Sequence, residues 1–493
     1  LALVLTAVVA ISAILTLYRL GAADVCGFNE AVEGVFLQQM VEHGHLLFPL
    51  DNGRAPMYKP PLFHWTATAI DRMAGIERVN AFNLRLPSAL YAIAGAALTV
   101  IFTYDFMGLP AALIAGLILC GSYQFIEQGR LGRVDMALCF FETLALFSFS
   151  WWLASREQAD SRNWLRYLFA AALGLAVLSK GPIGAILPAG ACGIFLLAER
   201  RFIDLRRIIA PGPVLLTLVI GSSWYIACYF AGRETFLNRQ LGSENFGRFF
   251  GALGAMKPWY YVKPILLNSA PLSLIAPFAI YAALRTYWLD AQPALDRHIR
   301  VVRLFAIFWL VTILFFSVAA YKRRAYLLPL WPATAVILTW SVEELRLRRR
   351  EGRINFAPPI GRVAMPGMVA LAAGSILFNF FYLPGKAIRD CGDDSLRSTA
   401  AQINRIVGKQ EPLYSFKLGD EPAELVFYLD RNAPPIKGRL GDAPPGYVIA
   451  PAAVWAREKD EALDLTPVFE SSSGRPRIVL LRHGPALASI DEW

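Results

Sequence analysis

Residues 164–198 read WLRYLFAAALGLAVLSKGPIGAILPAGACGIFLLA. Two apolar runs, 164–179 and 181–198, are separated by one charge, Lys180, and the turn pair Gly181-Pro182. Each run approaches the roughly 20 mostly apolar residues that a helix needs to cross a bilayer. Nine further runs of this kind lie near 1–20, 86–104, 109–125, 136–154, 211–231, 264–284, 302–320, 325–342 and 363–383. The first is uncharged until Arg19 and has neither a basic start nor a small-residue cleavage site, so it reads as a span and not a signal peptide. Eleven runs predict an α-helical polytopic membrane protein.

Composition agrees. Of 493 residues, 56% are hydrophobic and 17% charged, and mean hydropathy is +0.44. A soluble domain carries about 25% charge, so a single soluble domain and a disordered chain are both excluded. Net charge is +10. Residues 385–493 hold 14 Lys and Arg against 16 Asp and Glu, while residues 1–384 hold 34 against 22. The basic charge thus sits beside apolar runs. That argues for topology or anionic lipid rather than nucleic acid. Six cysteines are too few for a disulfide scaffold. Cys120, Cys139, Cys192 and Cys228 fall in apolar runs. Cys26 and Cys391 fall on one side; two free thiols are the default reading and a disulfide the alternative.

Arginines set the orientation. Arg156, Arg162 and Arg166, then Arg200, Arg201, Arg206 and Arg207, then Arg285 to Arg303, then Arg346 to Arg362 follow spans four, six, eight and ten. These loops are expected inside. Segments 21–85 and 232–263 and the C-terminal tail are then outside. On that outer side Arg130, Arg133, Lys180, Lys322, Arg323 and Arg324 break the charge rule. They either snorkel to headgroups or converge on one anion, such as a polyprenyl phosphate.

The outer segments carry helical patterns. Val32, Val35, Phe36, Met40 and Val41 share a face of 29–43, with Asn29 as a cap. Pro60-Pro61 precedes a second short amphipathic helix at 62–73, and a third is expected over 234–250. The first two are expected to lie on the membrane surface. From 385 the pattern changes to helices at 396–407, 421–429 and 452–463 and strands at 412–416, 447–450 and 478–481. This predicts two domains, a membrane domain over 1–384 and a small α/β domain over 385–493, outside the membrane.

Four stretches carry a family resemblance. They are Phe28-Asn29-Glu30-Ala31 with Pro56-Met57-Tyr58-Lys59-Pro60-Pro61-Leu62; Gly129-Arg130-Leu131-Gly132-Arg133-Val134-Asp135; Leu178-Ser179-Lys180-Gly181-Pro182; and Glu244-Asn245-Phe246-Gly247-Arg248-Phe249 through Lys257-Pro258-Trp259-Tyr260-Tyr261 to Tyr321-Lys322-Arg323-Arg324-Ala325-Tyr326. In this order the chain, over about 20–345, resembles the bacterial GT-C glycosyltransferases related to the lipid A aminoarabinose transferase and, more distantly, the protein O-mannosyltransferases. The resemblance implies an inner-membrane, multi-pass enzyme. It implies inverting transfer of a sugar from a polyprenyl-phosphate donor to a lipid A, other lipid or glycan acceptor on the periplasmic side.

The residues suit that chemistry. A leaving phosphate is stabilised by cations, for which Lys59, Arg130, Arg133, Lys180, Lys322 and Arg324 are candidates. Lys180 is the foremost, since a lone Lys at that depth needs an anion or water. An attacking hydroxyl needs a carboxylate. Relatives carry Asp where this chain has Asn29, so Glu30 or Asp135 takes the role, or the nucleophile is already anionic and needs only positioning. Asp135 also reads as a salt-bridge partner of Arg130 or Arg133. Glu244, Arg248 and Tyr58 are acceptor-side candidates, although Glu244 and Arg248 also suit a plain ion pair. Tyr58 stands where relatives often have the Glu of a Glu-Lys pair near which some place a divalent metal. That departure weakens a metal site here, and no other cofactor is implied. His43 and His45 at i, i+2 do not share a helix face, and His64 reads as an interfacial polar residue. The rival readings are a protein O-glycosyltransferase of the same fold, a lipid-linked sugar transporter or flippase, and a non-catalytic scaffold. A transporter would show paired broken helices in two related halves, which the sequence lacks.

Overall fold

The computed structural model describes residues 1–53, 55–157, 162–251, 254–268, 270–289, 297–350, 360–391, 396–418, 422–429, 431–471 and 477–483. The chain packs into two compact units. The first comprises Leu1–Leu20, Tyr58–Thr66 and Arg85–Leu383; the second comprises Gly21–Met57, Ala67–Leu84 and Pro384–Trp493. The second unit therefore gathers the C-terminal residues with two segments from the N-terminal region.

In the first unit every apolar run of the sequence is helical. Five helices are long and apolar enough to cross a membrane singly: Ala81–Met107, Asp135–Arg156, Pro211–Phe230, His298–Val318 and Met365–Cys391. Two more candidates are bent pairs. Leu109–Gly121 and Tyr123–Gly129 turn by 67°, and Pro258–Leu267 and Leu272–Tyr281 by 118°. Ala2–Leu17 and Ile183–Ala198 are apolar but shorter. By length and composition the described residues thus support five to seven spans, fewer than the eleven expected. The first break has a local cause: Ser122 leaves the helix with ψ 107°.

Several threonine hydroxyls inside the long helices hydrogen-bond within their own helix. Thr99 donates to the Gly95 carbonyl at 2.8 Å, Thr103 to Thr99 at 2.8 Å and Thr143 to Cys139 at 2.7 Å. This i−4 pattern lets a hydroxyl sit in an apolar core without an orphaned proton. Phe102, Phe147 and Phe305 anchor the packing, the first two stacked at 3.9 Å.

The second unit contains a four-stranded sheet in the order Leu413–Ser415, Tyr447–Pro451, Ile478–His483, Leu465–Glu470. The first pair is parallel and the other two are antiparallel. Three strands fall where the pattern predicts them. The fourth, Leu465–Glu470, went unread because Pro467 argues against a strand. It is an edge strand whose register shifts between Pro467 and Phe469, one of the few places where a sheet accepts proline.

Helix Phe28–Val41 differs from expectation in two ways. Gly27 at φ 87° is its N-cap and Asn29 lies in the first turn, so Asn29 does not cap it. The helix is also buried on most faces, Glu30 and Glu33 included, where a helix lying on a membrane would keep a wet side. It packs on helix Pro422–Leu429: Gln38 donates to the Phe427 carbonyl at 2.8 Å. Asn52 binds both backbone groups of Ala433, at 2.7 and 2.6 Å. Cys26 and Cys391 form a disulfide across 365 residues, so the free-thiol reading does not hold.

Candidate active site

The site is built around the turn at Ser179-Lys180-Gly181-Pro182. Helix Trp164–Lys180 ends there and helix Ile183–Ala198 begins. Gly181 sits at φ +97°, and a Cβ on it would stand 2.5 Å from the Gln240 amide nitrogen. The backbone conformation demands glycine. The turn delivers the Lys180 ammonium to the Asp135 carboxylate, with which it forms an ion pair, 4.8 Å from the Tyr326 ring centre. Asp135 opens helix Asp135–Glu157. Its partner is therefore Lys180, and not Arg130 or Arg133. Lys59 and Arg323 lie within electrostatic reach of both members of the pair. One carboxylate thus stands among three cations.

Beside this cluster is a cavity of about 350 Å3. Tyr58, Lys59, Lys180, Glu244 and Arg248 of the sequence candidates line it. Glu244 and Arg248 belong to the helical stretch Glu234–Phe250, whose middle, Asn238–Gly247, is wound as a π-helix. They pair at 2.5 Å, and Arg248 also stands 5.4 Å from the Tyr321 ring centre. Both readings of this pair therefore coexist: the two residues bind each other and face the cavity. Below the polar rim the walls are apolar, with Leu138, Ile183, Leu187, Phe315 and Phe316.

The other basic candidates lie outside the cavity lining. Arg130 donates to the carbonyls of Leu15, Thr16 and Tyr18 at 2.7, 3.2 and 2.9 Å. It closes the end of helix Ala2–Leu17, where carbonyls lack intrahelical partners. The Lys322 ammonium is buried and donates to the carbonyls of Ala319 and, at 3.2 Å, Met256. Arg324 pairs with Glu127 at 3.0 Å. Arg133 is outside the cavity lining, and its carbonyl accepts from Ser88 at 3.1 Å. Asn29 and Glu30 belong to the second unit. Among the described residues no three of His, Cys, Asp and Glu gather as metal ligands. The sequence reading missed Glu142, Gln240 and Tyr326, all of which line the cavity. Glu142 did carry a signal, as an acidic residue in mid-span.

Known proteins share this architecture. Residues 3–237 match the family model described as dolichyl-phosphate-mannose-protein mannosyltransferase. An uncharacterised protein of Aquifex aeolicus is 29% identical over 326 residues, 66% of this chain and 61% of the relative. The undecaprenyl phosphate-alpha-4-amino-4-deoxy-L-arabinose arabinosyl transferase of Shewanella sediminis is 25% identical over 341 residues, 69% of this chain and 59% of the relative. The chain thus spans about three fifths of the length of these curated relatives. The crystal structure of ArnT from Cupriavidus metallidurans bound to undecaprenyl phosphate matches with a TM-score of 0.78 at 18% identity, covering 98% of this chain and 99% of that one. The oligosaccharyltransferase AglB of Archaeoglobus fulgidus matches with a TM-score of 0.54 at 12% identity, over 97% and 73%. The chain is a multi-pass membrane protein with the GT-C glycosyltransferase fold. It resembles the aminoarabinose transferases and, more distantly, the protein mannosyltransferases.

Proposed function

We propose that this protein is an inverting glycosyltransferase that moves a sugar from a polyprenyl phosphate to a lipid or glycan acceptor at the outer face of the bacterial inner membrane. The observation that carries the reading is the Lys180–Asp135 pair, flanked by Lys59 and Arg323, at a cavity with apolar walls. A polyprenyl-phosphate sugar needs both parts: cations for the phosphate and apolar surface for the chain. The arabinosyl transferase relatives support undecaprenyl phosphate as the carrier. The eleven apolar runs of the sequence are proposed as crossings, residues 1–384 as the membrane domain and 385–493 as a periplasmic domain. The Cys26–Cys391 disulfide suits an oxidising compartment for both its ends.

In the proposed step the acceptor oxygen forms a bond to the anomeric carbon. The bond from that carbon to the phosphate oxygen breaks, and its electron pair stays on the phosphate. Lys180 and Lys59 neutralise that charge, and Asp135 holds Lys180 in place. Asp135 is engaged in this way, and the hydroxyl proton of the acceptor leaves to water as the new bond forms.

The test is transfer by the purified full chain in liposomes, with undecaprenyl-phosphate-4-amino-4-deoxy-L-arabinose and undecaprenyl-phosphate-mannose as donors and lipid A as acceptor. Lys180→Ala should reduce transfer by about 100-fold or more. Movement of the donor across the bilayer without covalent transfer would favour a flippase. Unchanged transfer by Lys180→Ala would remove the phosphate-holding role.

A further inference from the structure

Asp135, Leu138 and Glu142 follow one another at i, i+3 and i+7 and so share a helix face. All that separates Glu142 from the ion pair is two helical turns, about 10 Å along the axis. Helical side chains lean towards the N-terminus, which brings the Glu142 carboxyl back towards Lys180. The two groups are close enough to interact electrostatically. Glu142 is 1% exposed and forms part of the cavity wall. Neither of its carboxyl oxygens has a hydrogen-bond partner. Leu138, Ile183 and Leu187, which belong to the same cavity wall, have no side-chain donor to offer.

A buried carboxyl with both oxygens unpaired is costly to keep. A hydrocarbon chain in the cavity would leave it unpaired, because it has no donor to give. A phosphate oxygen at Lys180 would not serve a carboxylate either. The group that would satisfy it is a hydroxyl or an ammonium on a compact polar ligand reaching inward from the cation cluster. On the functional reading above, which this inference rests on, that ligand is the sugar attached to the phosphate.

We propose that Glu142 is a specificity-determining residue that accepts a hydrogen bond from a hydroxyl or ammonium group of the donor sugar. Sugars presenting a donor there are bound more tightly than the bare lipid phosphate. A site with a built-in acceptor also discriminates against analogues lacking the donor, since they leave it unpaired.

The experiment measures binding of three probes to the purified full chain: undecaprenyl phosphate, undecaprenyl-phosphate-glucose and undecaprenyl-phosphate-4-amino-4-deoxy-L-arabinose. Wild type should bind at least one sugar-bearing probe more tightly than undecaprenyl phosphate. Glu142→Leu should erase that increment, by about tenfold or more, while binding undecaprenyl phosphate as before. Glu142→Gln separates the two sources of the donor: it should keep most of the increment for a hydroxyl and lose it for an ammonium. If Glu142→Leu keeps the increment, the proposal is wrong. It is also wrong if both variants lose undecaprenyl phosphate to the same degree as the sugar-bearing probes. If wild type binds none of the three, the functional reading itself has failed.

Discussion

At the scale of single residues, the contacts of Lys180 decide what its removal does. On the proposed mechanism Asp135, paired with Lys180, acts through it, so the two should behave as one unit. Lys180→Ala and Asp135→Ala should each reduce transfer strongly, and the double variant should be little worse than Lys180→Ala alone. Steady-state rates for the four proteins test this; additive losses would show independent roles. Asp71 offers a different check. It is buried, its Oδ2 accepts from the Asn83 amide at 3.3 Å, and its Oδ1 has no partner. Burial pushes its carboxyl up to about 6, against the smaller opposing pull of Asn83. The folded state then holds a proton that the unfolded chain has released above about pH 4, so this contribution is fullest below pH 4 and is lost as pH rises through 6. The effect is at most about 3 kcal/mol. In thermal melts between pH 4 and 7, Asp71→Asn should flatten the decline seen in wild type. An unchanged slope would mean that other groups set it.

At the scale of elements, the contrast between Lys180 and Arg130 shows what a sequence makes legible. Both are cations that break the charge rule on the side expected to be outer, and hydropathy cannot tell them apart. What separates them is which carbonyls or carboxylates the fold brings near. Arg130 meets the open end of helix Ala2–Leu17, and Lys180 meets Asp135. Arg130→Ala should therefore lower thermal stability, by about 1–3 kcal/mol for three orphaned carbonyls, with little change in the donor KM. A raised KM at unchanged stability would return Arg130 to the phosphate site. The helices themselves were legible because apolar runs are local, and so was the Lys180 turn, since glycine followed by proline marks it. The cap of helix Phe28–Val41 was not. Gly27 fills that place through a positive φ, whereas Asn29 merely has a capping side chain. The strand at Leu465–Glu470 was hidden by Pro467, because an edge position is a property of the sheet and not of the segment. Glu142 was passed over as part of a span, although its charge was the anomaly.

At the scale of the whole molecule, the second unit draws on three stretches of chain, the first two separated by residues 58–66 and the third by residues 85–383. Local pattern registers the C-terminal stretch but cannot register the long-range assembly that adds residues 21–57 and 67–84 to it. Its contacts explain the join: Gln38 to Phe427, Asn52 to Ala433, and the Cys26–Cys391 bond link segments hundreds of residues apart. Bringing such distant segments together carries a loop-closure cost that grows with the logarithm of length. A covalent link removes part of that cost from the unfolded state. The chain-entropy model gives about 6 kcal/mol for a loop of this length. Cys26→Ser with Cys391→Ser should therefore make the second unit open first on heating. Limited proteolysis would then cut near 42–57 and 396–411 at temperatures where wild type resists. The first unit owes nothing to this bond, since its Lys180–Asp135 pair and cavity lie wholly within its own residues. Binding of undecaprenyl phosphate at low temperature should persist in the double-serine variant. Loss of that binding together with the protease resistance would mean that the two units fold as a single cooperative body.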